Sequence, residues 1–257
     1  VHKALYGLRE SPALWGDHRD NYLRTFHVTL NGSVIRLRQC CTDRNMWQLY
    51  SRATDALQRT CRTWARARVT LRSIIMDYVG CVTLGLLLTY VDDLLVAAPQ
   101  ELADLVMQDV LHNWECGDVT TTANGQALVF LSIRVTQDQD GGFTLDQQAY
   151  AKDLLQRNGL ENANPIPCVT WDVERFPEVP KEEREGRDYV RIVREAQRLA
   201  GEVLWLSQRT RPDIAFYVSQ TCQAALKNPK LSIHISTHVL KYIAGTSNLG
   251  LTYPAET

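Results

Sequence analysis

The chain has 257 residues with 45% hydrophobic and 22% charged, room for one large globular domain or two modest ones. A net charge of −1 lacks the overall basic signature of a nucleic-acid binder, and the longest apolar stretch, Val79 to Val91, is too short to span a bilayer. Seven cysteines without a Cys-x-x-Cys pair, and no targeting segment, lead us to expect a reducing, intracellular setting, cytoplasmic or nuclear rather than secreted.

In chain order, Ser11-Pro12 starts a helix through Leu23, with Leu14, Trp15, His18, Tyr22 and Leu23 on or near one face. Between Thr29 and Tyr78 the periodicity is poor, and the Arg- and Thr-rich run Ser51 to Arg72 reads as an insertion or a diverged segment. Arg36, Arg38, Arg44, Arg52, Arg59, Arg62, Arg66, Arg68 and Arg72 are opposed there only by Asp43, Asp55 and Asp77. Together they could face phosphate; singly, each better suits a solvated surface.

Order returns at Thr83. Tyr90-Val91-Asp92-Asp93-Leu94-Leu95 sets two carboxylates inside an apolar run. Successive side chains in a strand point to opposite faces, so the pair can converge only at the tip of a hairpin. We therefore expect strand, Asp-Asp turn, strand. Desolvated carboxylates need compensation, which Mg²⁺ or Mn²⁺ would supply; solvated turn aspartates fit the same residues equally well.

Pro99-Gln100-Glu101 suits a helix start, followed by Leu102, Leu105, Val106, Val110 and Trp114 at helical spacing. Ala127 to Val135 alternates as one strand, and Asp140-Gly141-Gly142 turns it into Phe143-Thr144-Leu145. Asp146 can cap a helix through Asn158, ended by Gly159. Asn164-Pro165-Ile166-Pro167 opens an acidic linker, and three helices follow: Tyr189 to Gln208, Pro212 to Leu226, and Ser232 to Ala244. His234 and His238 stand four apart, a zinc-compatible spacing with no third ligand in view. Helices segregated from strands give an α+β class.

Four stretches together resemble the reverse transcriptases of the Ty1/copia retrotransposon class. They are Lys3-Ala4-Leu5-Tyr6-Gly7-Leu8-Arg9-Glu10-Ser11-Pro12-Ala13-Leu14-Trp15, the Tyr90 to Leu95 motif, Gly201 to Phe216 and His238 to Leu251. The resemblance implies a partial right-hand polymerase: a palm β-sheet with packed helices, then a helical thumb and connection. On that basis residues 1–30 hold the palm entry, 31–83 the diverged segment, 84–145 the palm hairpins, and 146–257 the thumb and connection, with the acidic linker near 163–188.

The implied activity is RNA-directed DNA synthesis from an RNA template, a DNA primer and dNTP, with Mg²⁺ (or Mn²⁺) as cofactor. Asp92 and Asp93 are the implied metal ligands, Asp92 the more direct. Tyr90, Gly7, Ser11 and Pro12 are implied template and nucleotide contacts. Phe130, Leu131 and Ser132 fall at the primer-holding hairpin, with Ser132 where the family carries Gly. A third metal-binding Asp would lie before Val1 and an RNase H domain after Thr257, both in the remainder of a polyprotein. The chain alone is therefore expected to be inactive; the alternative is a decayed, non-catalytic remnant that at most binds nucleic acid.

Overall fold

The computed structural model describes residues 10–52, 81–167 and 176–255. Gly7, most of the Ser51 to Arg72 run, and the start of the Asp172 to Asp188 stretch lie outside the described residues. The chain divides into two compact units, Val1–Val119 with Ala255–Thr257, and Thr120–Pro254.

The first unit begins with α1 (Ser11–Thr25), which carries Pro12 in its first turn, where a missing N–H costs no helical bond. Five strands follow: β1 (His27–Leu30), β2 (Ser33–Gln39), β3 (Met46–Arg52), β4 (Cys81–Tyr90) and β5 (Asp93–Ala97), then α2 (Gln100–Asn113). The sheet runs in chain order with every neighbour antiparallel. Asn31 and Gly32 both take positive φ, 49° and 74°, closing β1 onto β2 by the type I′ turn whose twist matches the strands.

β2 and β3 occupy the interval whose pattern reads poorly. In β2 the buried residues Ser33, Ile35 and Leu37 alternate with exposed Val34 and Arg36. The period of two is present, masked by a buried serine and an exposed valine. In β3 the consecutive residues Trp47, Gln48 and Leu49 are all buried, which erases alternation altogether. One core joins Ile35, Leu37, Trp47, Leu49, Leu84 and Leu87 of the sheet to Leu23 and Phe26, and to Leu102, Val106 and Val110 of α2. The stripe on α2 is thus core packing.

Gly85, inside β4, is buried where the backbone comes close. A Cβ there would lie 2.6 Å from Ala98 Cβ and 2.8 Å from the Ala97 carbonyl oxygen. No side chain fits without moving the backbone of the neighbouring segment.

The second unit holds a four-stranded antiparallel sheet, β6 (Ala127–Phe130), β7 (Ile133–Gln137), β8 (Phe143–Asp146) and β9 (Leu251–Tyr253), in that order. The single strand expected over Ala127 to Val135 is in fact two. Leu131 and Ser132 both adopt positive φ and reverse the chain, so Phe130 pairs with Ile133. The alternation survives the reversal because a two-residue turn preserves the pleat, and neither turn residue is glycine or asparagine. β9 comes from a tail that reads as helical connection.

The helices are α3 (Gln148–Arg157), α4 (Arg187–Arg209), α5 (Ala215–Lys227) and α6 (Pro229–Thr246). Asp146 ends β8 and its carboxylate accepts from the Gln148 N–H at 3.0 Å, but the N-cap position is Gln147, without a side-chain cap bond, so the helix starts one residue later than expected. Gly159, at φ 63°, ends α3 as expected, with the Leu160 N–H bonded to the Leu155 carbonyl. Asn228 both closes α5 and caps α6, so α6 begins at Pro229, earlier than Ser232. The core of this unit includes Leu154, Leu155, Val203, Leu206, Ile214, Val218, Ile235, Val239 and Ile243. Among the described residues no helix is long and apolar enough to cross a membrane, and the five described cysteines are free thiols.

Candidate functional site

The Asp-Asp stretch sits at the open end of the β4–β5 ladder. Tyr90 pairs with Asp93, so the loop has two residues, Val91 and Asp92. Both aspartates were expected at the tip; only Asp92 occupies it, and Asp93 opens β5. Tyr90, Asp92 and Asp93 are all exposed, Tyr90 by 50%, so its ring is not part of the core. Neither carboxylate has an ion pair or hydrogen bond among the described residues.

Val91 takes φ 54°. A β-branched residue in that region is a true outlier, costing on the order of 1–3 kcal/mol. The surroundings offset the cost. The Val91 carbonyl oxygen accepts from Trp15 Nε1 at 2.7 Å and from Arg19 Nη1 at 3.3 Å. A neutral hydrogen bond contributes about 1 kcal/mol net and one from a charged donor about 1.5–3 kcal/mol. The two bonds therefore match the strain in size.

Both donors come from α1, one turn apart. Arg19 is 7% exposed, and its charge is compensated by Asp20, whose Oδ1 accepts from Arg19 Nε and Nη2 at 3.1 and 2.9 Å. Gln39 Nε2 donates to the other Asp20 oxygen and to the Arg44 carbonyl, tying this pair to the end of β2. The Trp15 ring meets Trp114 edge-on at 5.5 Å, and Trp114 packs on Tyr22 at 4.5 Å. Tyr22 donates a hydrogen bond to the Asp109 carboxylate of α2. Burial, then that bond and the Asp109 charge, push the Tyr22 hydroxyl well above its ordinary pKa, keeping it a donor.

Trp15 and Tyr22 were foreseen on the inward face of α1, but Arg19 was not, and Leu14 is exposed. The signal that could have found Arg19 is its i, i+4 spacing from Trp15 on a helix leading toward the Asp-Asp motif. Ser11 is half-buried and Pro12 exposed, both in the first turn of α1; Gly7 lies outside the described residues.

Two exposed, unpaired carboxylates suit a hard, oxygen-preferring divalent cation. They supply two ligand groups; among the described residues no group of three or more His, Cys, Asp or Glu stands close enough to hold a metal.

In the second unit, Phe130 and Leu131 are half-buried and Ser132 exposed. Ser132 sits at φ 61°, a conformation in which glycine carries no Cβ penalty. The His234 and His238 rings meet at a tilt with centroids 4.2 Å apart, and Phe176 lies 4.7 Å from His234, an aromatic cluster. Along α4, Arg187, Arg191, Arg194 and Arg198 recur at spacings of four, three and four, all exposed, lining a groove of about 1070 Å³. Arg198 is offset by Glu195 and Glu202 at 2.7 and 2.8 Å.

No protein-family model matches the chain, and no solved structure matches it. Among curated proteins, the chain is 24% identical over 256 residues to the Saccharomyces cerevisiae protein named "Putative transposon Ty5-1 protein". The likeness is to a retrotransposon protein. It takes in 98% of this chain and 67% of the yeast protein.

Proposed function

We propose that the chain is a segment of a retrotransposon RNA-directed DNA polymerase. In this reading the first unit's sheet, with α1 and α2, is the palm, and the helices from Gln148 onward are the thumb and connection. The observation that carries it is the exposed Asp92–Asp93 pair on a strained, externally held turn. The similarity to a transposon protein supports the same reading.

Asp92 and Asp93 would hold Mg²⁺ or Mn²⁺. When bound, such an ion lowers the pKa of a primer 3′-hydroxyl and neutralises a triphosphate. The chain's own part is positional: β4 and β5 carry the two carboxylates on a rigid ladder, and Tyr90 is exposed next to the turn, where a primer end could stack. RNA template, DNA primer and dNTP are the partners this reading implies. Because the pair supplies two carboxylates, we expect the polypeptide alone not to extend a primer on an RNA template.

The test is Mn²⁺ binding, read as paramagnetic broadening of the amide signals of residues 90–95, in the wild-type chain and in an Asp92→Asn/Asp93→Asn variant. Broadening confined to the wild type supports the reading; none in either protein defeats it. Clear Mg²⁺-dependent primer extension would overturn the inactivity of the isolated chain.

A second reading, nucleic-acid binding without catalysis, is favoured by the α4 arginines. Arg187, Arg191 and Arg194 are exposed cations on one helical face with no ion pair among the described residues. Binding of single-stranded RNA at graded salt tests it. Replacing Arg191 and Arg194 with Gln should lower the salt slope by about 1 per arginine; an unchanged slope removes this surface from consideration.

A further inference from the structure

We propose that Trp15 and Arg19 are positioning residues that select the conformation of the Asp92 turn, and through it where the Asp92 carboxylate stands relative to Asp93. The inference rests on the metal-site reading for its purpose, and on geometry for its substance.

Both donors hold the same peptide. The Val91 carbonyl belongs to the peptide joining Val91 to Asp92, the central peptide of a two-residue turn. Turn types that share strand ends differ by the orientation of that peptide, which reverses the sign of φ at the second residue. Among the described residues there are three two-residue hairpins. In two of them, Asn31-Gly32 and Leu131-Ser132, both residues have positive φ. At Val91-Asp92 only the first does, since Asp92 is absent from the positive-φ residues.

The aspartate turn is the odd one, and its central carbonyl is the one gripped by two side chains from another element, at 2.7 and 3.3 Å. Flipping the peptide would break both bonds and carry Asp92 to positive φ, a region Asp tolerates. That alternative is the turn adopted by the other two hairpins, so a restraint is needed to exclude it. Trp15 and Arg19 supply the restraint, and both are themselves fixed, Trp15 by Trp114 and Arg19 by Asp20.

The decisive experiment compares amide spectra of the full chain for wild type, Trp15→Phe and Arg19→Lys, each without and with Mn²⁺. Trp15→Phe keeps an aromatic ring against Trp114 and removes only the N–H; Arg19→Lys keeps the charge and loses the fork. We expect a single set of Asp92 and Asp93 signals in the wild type. In each variant a second set, or exchange broadening, should appear at residues 91–93, with Mn²⁺ affinity about tenfold weaker, the size of effect typical when a group supporting a metal ligand is lost. The signals of Leu131 and Ser132 should not move.

Wild-type turn signals and Mn²⁺ response in both variants would overturn the proposal while leaving the metal reading intact. No Mn²⁺ response in the wild type would defeat the metal reading, and a second conformer in the variants would then still establish the turn selection. Should Trp15→Phe lose its fold, Arg19→Lys decides alone: a single wild-type conformer with unchanged Mn²⁺ affinity sinks the idea.

Discussion

Among the described residues the two units each bury one arginine, and each contains a tight turn of non-glycine residues with positive φ at one or both positions, yet they combine these parts differently. In the first, Arg19 reaches the strained carbonyl of Val91. In the second, Arg211 (2% exposed) seals helix ends: Nε and Nη2 donate to the Asp213 carboxylate at 2.9 and 2.8 Å, and Nη1 to the Thr246 carbonyl at 2.9 Å. The Leu131-Ser132 turn receives no side-chain hydrogen bond among the described residues. A buried guanidinium is thus used for stability in one unit, and in the other its hydrogen bonds reach the candidate site.

Substitutions can break this contrast, beginning with the largest effect. Arg211→Ala should cost about 3 kcal/mol, because losing a buried, multiply bonded ion leaves Asp213 with Tyr242 alone and the Thr246 carbonyl with only the Leu249 N–H. Urea unfolding would measure it, and a loss under about 1 kcal/mol would mean Arg211 is not the seal it resembles.

Asp213 gives the same contact a pH signature. Burial raises its carboxyl pKa, but the hydrogen bond and charge of Arg211, with a bond from Tyr242, outweigh it and hold the group below its ordinary value. The folded state therefore binds the proton less readily than the unfolded one. The contribution is complete above the unfolded pKa, about 3.9, and is lost as pH falls through the lower folded value. The stability gap between wild type and Asp213→Asn should be full near neutrality and close on acidification, as read by thermal melts across pH.

Arg19→Ala should cost less, about 2 kcal/mol, since Asp20 keeps Gln39 as a partner. Unlike Arg211→Ala, it should also disturb the signals of residues 91–93. Smallest are the glycine substitutions. Val91→Gly relieves a β-branched outlier and should stabilise by about 1 kcal/mol net of the added chain entropy, while loosening the turn. Ser132→Gly, with less strain to relieve, should gain about 0.5 kcal/mol and change nothing at the first unit's turn. Equal gains at both positions would erase the distinction drawn between the turns.

Much of the helical frame was readable because its punctuation is local. Pro12, Pro99, Gly159 and Asn228-Pro229 mark ends within a residue or two. The strands were harder. β2 hides its alternation behind Ser33 and Val34, and β3 buries three residues in a row. The Leu131-Ser132 reversal has no turn chemistry to announce it, and only the resemblance pointed to a hairpin there. At the candidate site, Asp92 and Asp93 stood out as residues, but the grip on Val91 joins positions 72 and 76 apart in the chain. Such contacts exist only once α1 is packed, so no local pattern encodes them.

Gly85 gives the hairpin a second point of fragility, away from its aspartates. With the Ala97 carbonyl and Ala98 in its way, any other residue there would push β5 off β4 near the base of the ladder that carries Asp92 and Asp93. For a mobile element whose copies drift after insertion, an intact Tyr-Val-Asp-Asp spelling is then a poor certificate of a working hairpin. On the proposed reading, a copy that retains both aspartates but has lost Gly85 would keep the motif without the ladder that presents it.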